Sequence, residues 1–133
     1  MSDRIRVVIV DDIPETRDHL TKLLSFESDM EVVGTGGSGP EALEVTGRVR
    51  PDVVLMDVNM PIMDGFEATA RIRAMEDPKS RVPIVALTAA STPEEADRCI
   101  MAGMDGHVGK PVDVEQLLST VADLIRPAPV TAG

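Results

Sequence analysis

Five polar side chains stand where apolar runs stop. Asp11 and Asp12 follow RIRVVIV, Asp57 follows VVLM, Thr88 follows VPIVAL, and Lys110 follows GHVG. An acid at the tip of a continuous apolar run needs a partner, because carboxylates are rarely buried unless paired or bound to metal. Three carboxylates gathered at one point repel by about 4 kcal/mol per pair at contact distance and an effective dielectric near 20, so they require a cation. Oxygen ligands of this kind suit Mg²⁺, which keeps several waters and is held by one or two carboxylates plus a phosphate. Lys110 adds a point charge of the sort that meets phosphate, and Thr88 adds a hydroxyl donor. A cation, a lysine and a hydroxyl around one further carboxylate make a place for a phosphoryl group. Asp57 is then the nucleophile that forms an acyl phosphate.

These residues meet only if the elements before them lie side by side. The run from Val53 to Met56 is β-branched, unbroken and preceded by Pro51-Asp52, which predicts a strand buried on both faces. Arg4 to Val10 predicts a first strand of the same kind, and Pro14 with Glu15 and Asp18 suits the start of a helix to about Phe26. A strand over Met30 to Gly34, a turn TGGSGP and a helix from Pro40 to about Val49 follow. After Asp57 the spacing of Phe66, Ala70 and Ile72 predicts a helix to about Met75, then a polar loop EDPKSR and a strand from Val82 to Leu87. Thr92-Pro93-Glu94-Glu95 supplies a cap, a proline in the first turn and two early acids for a helix ending at Gly103. A short strand over Gly106 to Gly109 leads to a last helix, Val112 to Ile125.

Strict alternation of strands and helices predicts an α/β fold, a doubly wound five-stranded parallel sheet covered on both faces. With strand order 2-1-3-4-5, Asp11, Asp12, Asp57, Thr88 and Lys110 all fall at one edge of the sheet, beyond the carboxyl ends of the strands where ligands bind in such folds. Residues 1–126 form the domain, and 127–133, RPAPVTAG from Arg126 on, read as a loose tail or the start of a linker.

Composition narrows the function. The 133-residue chain is 43% apolar and 27% charged, and its net charge of −10 lacks the basic footprint of a nucleic-acid binder. No stretch approaches the ~18 apolar residues of a membrane span. The N-terminus has no signal-peptide pattern, and the single Cys99 fits a reducing cytoplasm. Two aromatics, Phe26 and Phe66, are too few for stacking platforms.

With these residues in place the chain resembles the receiver domain of bacterial two-component response regulators, with the flavodoxin-like (CheY-like) form of the fold. The resemblance rests on Asp11-Asp12, Asp57 in MDVNMPIMDG, Thr88 in ALTA, and Lys110-Pro111 preceded by AGMDG, and it spans about residues 4 to 126. It implies that Asp57 is the phosphoacceptor and that Asp12, Asp57 and the backbone carbonyl of Asn59 bind Mg²⁺, with Asp11 acting through water. It further implies that Thr88 and Lys110 contact the phosphoryl group and that Lys110-Pro111 is a cis peptide. The family places Tyr or Phe where this chain has His107. Thr88 and His107 are therefore the switch positions, with His107 read as a partly buried wall residue.

The expected role is a phosphorylation-dependent signalling switch rather than a turnover enzyme. Its phosphoryl donor is a sensor histidine kinase or His-phosphotransfer protein, and its output partner or fused output domain is unknown. It binds neither nucleic acid nor membrane and is a monomer or a weak phosphorylation-dependent dimer. By the resemblance, the last two helices and the fifth strand form the output face. An aspartyl-phosphate-type phosphatase is the alternative; such enzymes place a second Asp two residues after the nucleophile, and Asn59 cannot serve as that acid. A flavodoxin-like cofactor carrier lacks its aromatic flanks and its phosphate loop here. A calcium-loop reading of Asp57-Val58-Asn59 fails at Ile62, where Gly is required.

Overall fold

The computed structural model describes residues 4–60, 63–75, 81–89, 92–110 and 112–125. The Lys110-Pro111 peptide, Ile62, most of the loop from Glu76 and the tail 127–133 lie outside the described residues. Ten elements alternate: β1 (Ile5–Val10), α1 (Pro14–Ser25), β2 (Met30–Gly36), α2 (Gly39–Val49), β3 (Val53–Asp57), α3 (Gly65–Arg73), β4 (Ile84–Thr88), α4 (Pro93–Ala102), β5 (Gly106–Gly109) and α5 (Val114–Ile125). The strands form one sheet in the order β2-β1-β3-β4-β5, every pair parallel.

Strand alternation divides the core into two layers. Val8, Val10, Val54, Met56, Ile84 and Ala86 pack with Ala42, Ala68, Ile72 and Cys99 of α2, α3 and α4. Val7, Ile9, Val53, Leu55, Val85 and Leu87 pack with Leu20, Leu24, Leu117 and Val121 of α1 and α5. All five residues of β3 are buried, as are all five of β4. Each such aliphatic side chain stabilises the fold by about 1.5–3 kcal/mol through burial.

Element ends differ from the sequence expectation where a local hydrogen bond decides. The last helix begins at Val114, not Val112, because Asp113 Oδ1 accepts from the Glu115 and Gln116 amides at 2.9 and 3.4 Å. Strand β4 begins at Ile84, since Pro83 has no N–H for the ladder. Strand β2 runs two residues further, to Gly36, paired with Val10. Helix α1 stops at Ser25, leaving Phe26 as a C-cap that is 78% exposed.

Two devices hold the sheet ends. Where Asp64 caps α3 by accepting from the Glu67 amide at 2.9 Å, the next residue must be glycine. A Cβ on Gly65 would lie 2.4 Å from the Asp57 carbonyl oxygen and 2.9 Å from Val58 Cα. At the opposite end of the sheet Arg73 gathers three segments. It donates to the Gly103 carbonyl at 3.0 Å, the Val82 carbonyl at 2.7 Å and Asp105 Oδ2 at 2.8 Å, while Asp105 also accepts from the Ile84 amide.

Candidate functional site

The five polar residues singled out in the sequence come from the carboxyl ends of four strands. Asp11 and Asp12 follow β1, Asp57 ends β3, Thr88 ends β4 and Lys110 follows β5. The order β2-β1-β3-β4-β5 places β3 between β1 and β4, so Asp57 stands between the acidic pair and Thr88. Asp11, Asp57 and Thr88 are at most 1% exposed.

Carboxylate oxygens of Asp11, Asp12 and Asp57 all lie within 4.8 Å of one another. Lys110 enters this cluster, its Nζ 3.1 Å from Asp11 Oδ2 and 3.2 Å from Asp57 Oδ1. Asp57 Oδ1 also accepts from the Asn59 amide at 3.0 Å. Among the described residues no hydrogen bond reaches Asp57 Oδ2. Asp11 is fully engaged, because its Oδ1 accepts from the Ile13 amide at 2.9 Å and its Oδ2 from Lys110. Asp12 is half-buried and keeps its carboxylate toward the same cluster.

Electrostatics follow from this packing. Burial pushes the Asp57 carboxyl above the ordinary carboxylate value, the Asn59 amide draws it down, the Asp11 charge raises it again and Lys110 lowers it; the net direction is up. Burial by itself lowers the Lys110 ammonium, but Asp11 and Asp57 outweigh it and hold Lys110 above its ordinary value. The lysine thus remains a cation that neutralises only part of the three acids. The remaining negative charge, on oxygen ligands alone, fits a hard divalent cation.

Thr88 and His107 differ in setting. Thr88 Oγ1 donates to Glu95 Oε2 of α4 at 3.1 Å. His107 pairs with Ala86 across the ladder, and its side chain is exposed rather than forming a partly buried wall. The reason is its place on the edge strand β5, where Val108 takes the inward position.

Three residues of the site were not recognised in the sequence. Gly65 allows α3 to start against Asp57, as described above; the Asp-Gly pair was its only signal. Arg17 of α1 donates to the Asp11 carbonyl at 2.6 Å, an interaction no motif announces. Glu95 looks like a favourable acid at a helix start, yet it reaches the Thr88 hydroxyl.

A parallel α/β domain with three acids, a lysine and a hydroxyl at the carboxyl edge of its sheet is the arrangement of a receiver domain. The family model described as response regulator receiver domain matches residues 7–122, and the chain belongs to that family. Over 108 residues it is 43% identical to a protein-glutamate methylesterase/protein-glutamine glutaminase of Syntrophus aciditrophicus, covering 80% of this chain and 30% of that protein. It is 35% identical over 122 residues to the response regulator protein VraR of Staphylococcus aureus, covering 92% of this chain and 55% of that protein. The chain therefore spans about half or less of the length of these curated relatives. Among solved structures, the receiver domain of a sensor histidine kinase of Pseudomonas aeruginosa, which has a magnesium ion coordinated in its active-site cleft, matches with a TM-score of 0.82. That match has 31% identity and covers 93% of this chain and 99% of that one.

Proposed function

We propose that this receiver domain is a phosphorylation-dependent switch that takes a phosphoryl group onto Asp57 from a phosphohistidine. The carrying observation is the burial of Asp57 at the end of the central strand, within 3.2 Å of Lys110, with its Oδ2 unengaged among the described residues. Asp57 Oδ attacks phosphorus, the P–N bond to the donor imidazole breaks, and the departing imidazole nitrogen regains a proton from solvent. Lys110 holds Asp57 ionised for the attack and then meets a phosphoryl oxygen. The Asp12 and Asp57 carboxylates with the Asn59 carbonyl would hold Mg²⁺, with Asp11 acting through water. When bound, Mg²⁺ neutralises the acids and draws charge from the phosphoryl oxygens.

The donor is a sensor histidine kinase or His-phosphotransfer protein. An open groove of about 290 Å³ beside the site supports an approach along α1; Glu15, Thr16, His19 and Leu20 line it together with Lys110 and Val112. Output through α4, β5 and α5 is supported by the exposure of Ile100 and Met101 on α4, 69% and 87%. Asn59 offers no general acid, which supports a self-catalysed switch over a turnover phosphatase. The reading takes residues 1–126 as one domain working in the cytoplasm, supported by a single cysteine that has no partner for an internal disulfide; no helix among the described residues is long and apolar enough to cross a membrane.

The test is incubation with acetyl phosphate and Mg²⁺, followed by intact mass. One phosphoryl group is expected on the wild type and none on Asp57→Asn. Unchanged labelling of the variant overturns the assignment.

A further inference from the structure

Glu95 is the third residue of α4, and its backbone amide donates to Thr92 Oγ1 at 3.1 Å. An acid in this position, three residues after a threonine N-cap, ordinarily turns back to the N-cap amide. Here the carboxylate is used otherwise. Its Oε2 accepts from Thr88 Oγ1 at 3.1 Å, and its Oε1 lies 3.5 Å from Arg98 Nη1. The side chain is 14% exposed, so it is held inside the α4 face rather than extended into solvent. Arg98 in turn stacks on Phe66 of α3, its guanidinium 4.4 Å from the ring centroid. A continuous chain of contacts thus runs from the hydroxyl beside the phosphoacceptor through α4 to α3.

A threonine hydroxyl has one proton. While Thr88 donates it to Glu95, it cannot donate it to a phosphoryl oxygen on Asp57. The rival acceptors are both anionic, so each makes a charge-assisted bond and neither wins by chemistry alone. Phosphorylation also adds negative charge at Asp57, which ends the strand next to the one that ends in Thr88. Loss of the Thr88 bond and the added repulsion both drive Glu95 away from Thr88.

We propose that Glu95 is a positioning residue that competes with the phosphoryl group for the Thr88 hydroxyl and so biases the domain toward its unphosphorylated arrangement. This rests on the phosphoacceptor reading of Asp57. Glu95 is then the point at which the chemistry at β3 and β4 is passed to α4, and release of its carboxylate loosens its hold on Arg98. If Glu95 served only the positive end of α4, its removal would weaken the helix and leave the site's affinity for a phosphoryl group unchanged.

The experiment uses the full chain with beryllofluoride and Mg²⁺ as the probe, binding being followed by ¹⁹F NMR. Wild type, Glu95→Ala, Glu95→Gln, Thr88→Ala and the Thr88→Ala/Glu95→Ala double variant are compared. Glu95→Ala is expected to bind beryllofluoride at least about tenfold more tightly, the low end of what one hydrogen bond to a charged group is worth. Glu95→Gln, which keeps the shape and loses the charge, falls between, and it carries the test if the alanine variant does not fold. In the Thr88→Ala background the Glu95 substitution keeps only the smaller gain from removed charge repulsion. Equal or weaker binding by the Glu95 variants, or the same gain without Thr88, overturns the proposal while leaving Asp57 as phosphoacceptor. Failure of the wild type to bind the probe overturns the phosphoacceptor reading, and this proposal with it.

Discussion

Lys110 and Asp11 are separated by 99 positions in the chain, and Lys110 Nζ lies 3.1 Å from Asp11 Oδ2. The same nitrogen lies 3.2 Å from Asp57, so one ammonium is shared between two buried acids and leaves Asp12 to solvent or metal. Replacing Lys110 with Ala removes that shared charge. Metal-free stability is expected to fall by about 1–2 kcal/mol, less than the usual cost of breaking a fully buried pair because the lysine is 25% exposed. Mg²⁺ at ten times its dissociation constant is expected to stabilise the wild type by about 1.4 kcal/mol, or roughly 5 °C in Tm. That gain should be larger in Lys110→Ala. Melting curves at constant ionic strength check both; a wild type indifferent to millimolar Mg²⁺ counts against the metal site.

Asp57 carries a pH signature. Its folded pKa lies above the unfolded value of 3.8, chiefly through burial, so the folded state holds the proton more tightly than the unfolded chain does. Its contribution to stability is therefore best at low pH and is lost as pH rises through the folded pKa. Asp57→Asn has no such charge to bury. The variant should melt above the metal-free wild type at neutral pH, and the gap should close as pH falls through the folded pKa of Asp57. A gap that widens on acidification contradicts the sign.

Arg73 is expected to matter for stability and not for phosphorylation. Arg73→Ala removes at least three side-chain bonds that join α3, the start of β4 and the turn before β5. A loss of about 2 kcal/mol is expected, since bonds to charged groups are worth more than neutral ones but two of these acceptors can regain water. Denaturant titration measures the loss, and acetyl phosphate labelling of the folded fraction should be unchanged.

His107 is exposed on β5 in this arrangement. If it takes the part played by the family's aromatic residue, its ring moves inward when Thr88 turns to the phosphoryl group. The ring resonances of His107 should then shift on addition of beryllofluoride and Mg²⁺, while those of His19 on α1 shift less. Unchanged His107 resonances exclude it from the switch.

Much of this was legible in the sequence because apolar runs and acids obey local rules. VVLM followed by Asp57 specified a strand buried on both faces, and the alternation of elements specified a parallel sheet, both of which the structure bears out. Element ends were less legible, since Asp113 acts through two cap hydrogen bonds and Pro83 through a missing N–H, neither of which periodicity records. Glu95 was read only as a helix-start acid because its partner, Thr88, lies on another element, and the exposure of His107 depended on which face of an edge strand it occupies.

The strand order also dictates a timetable. A ribosome delivers the acidic pair first, Asp57 some 46 positions later (57 − 11), and the lysine only after another 53 (110 − 57). At elongation rates of about 5–20 residues per second that last interval amounts to seconds, long compared with helix formation or chain collapse. Throughout it, the growing polypeptide carries three acids destined for one pocket and lacks the ammonium that holds them together. Meanwhile β4 remains an open edge until Gly106–Gly109 emerges to pair with it. The pocket is therefore among the last parts of the molecule to mature, and a chain released before Lys110 would retain Asp57 without its built-in counter-charge.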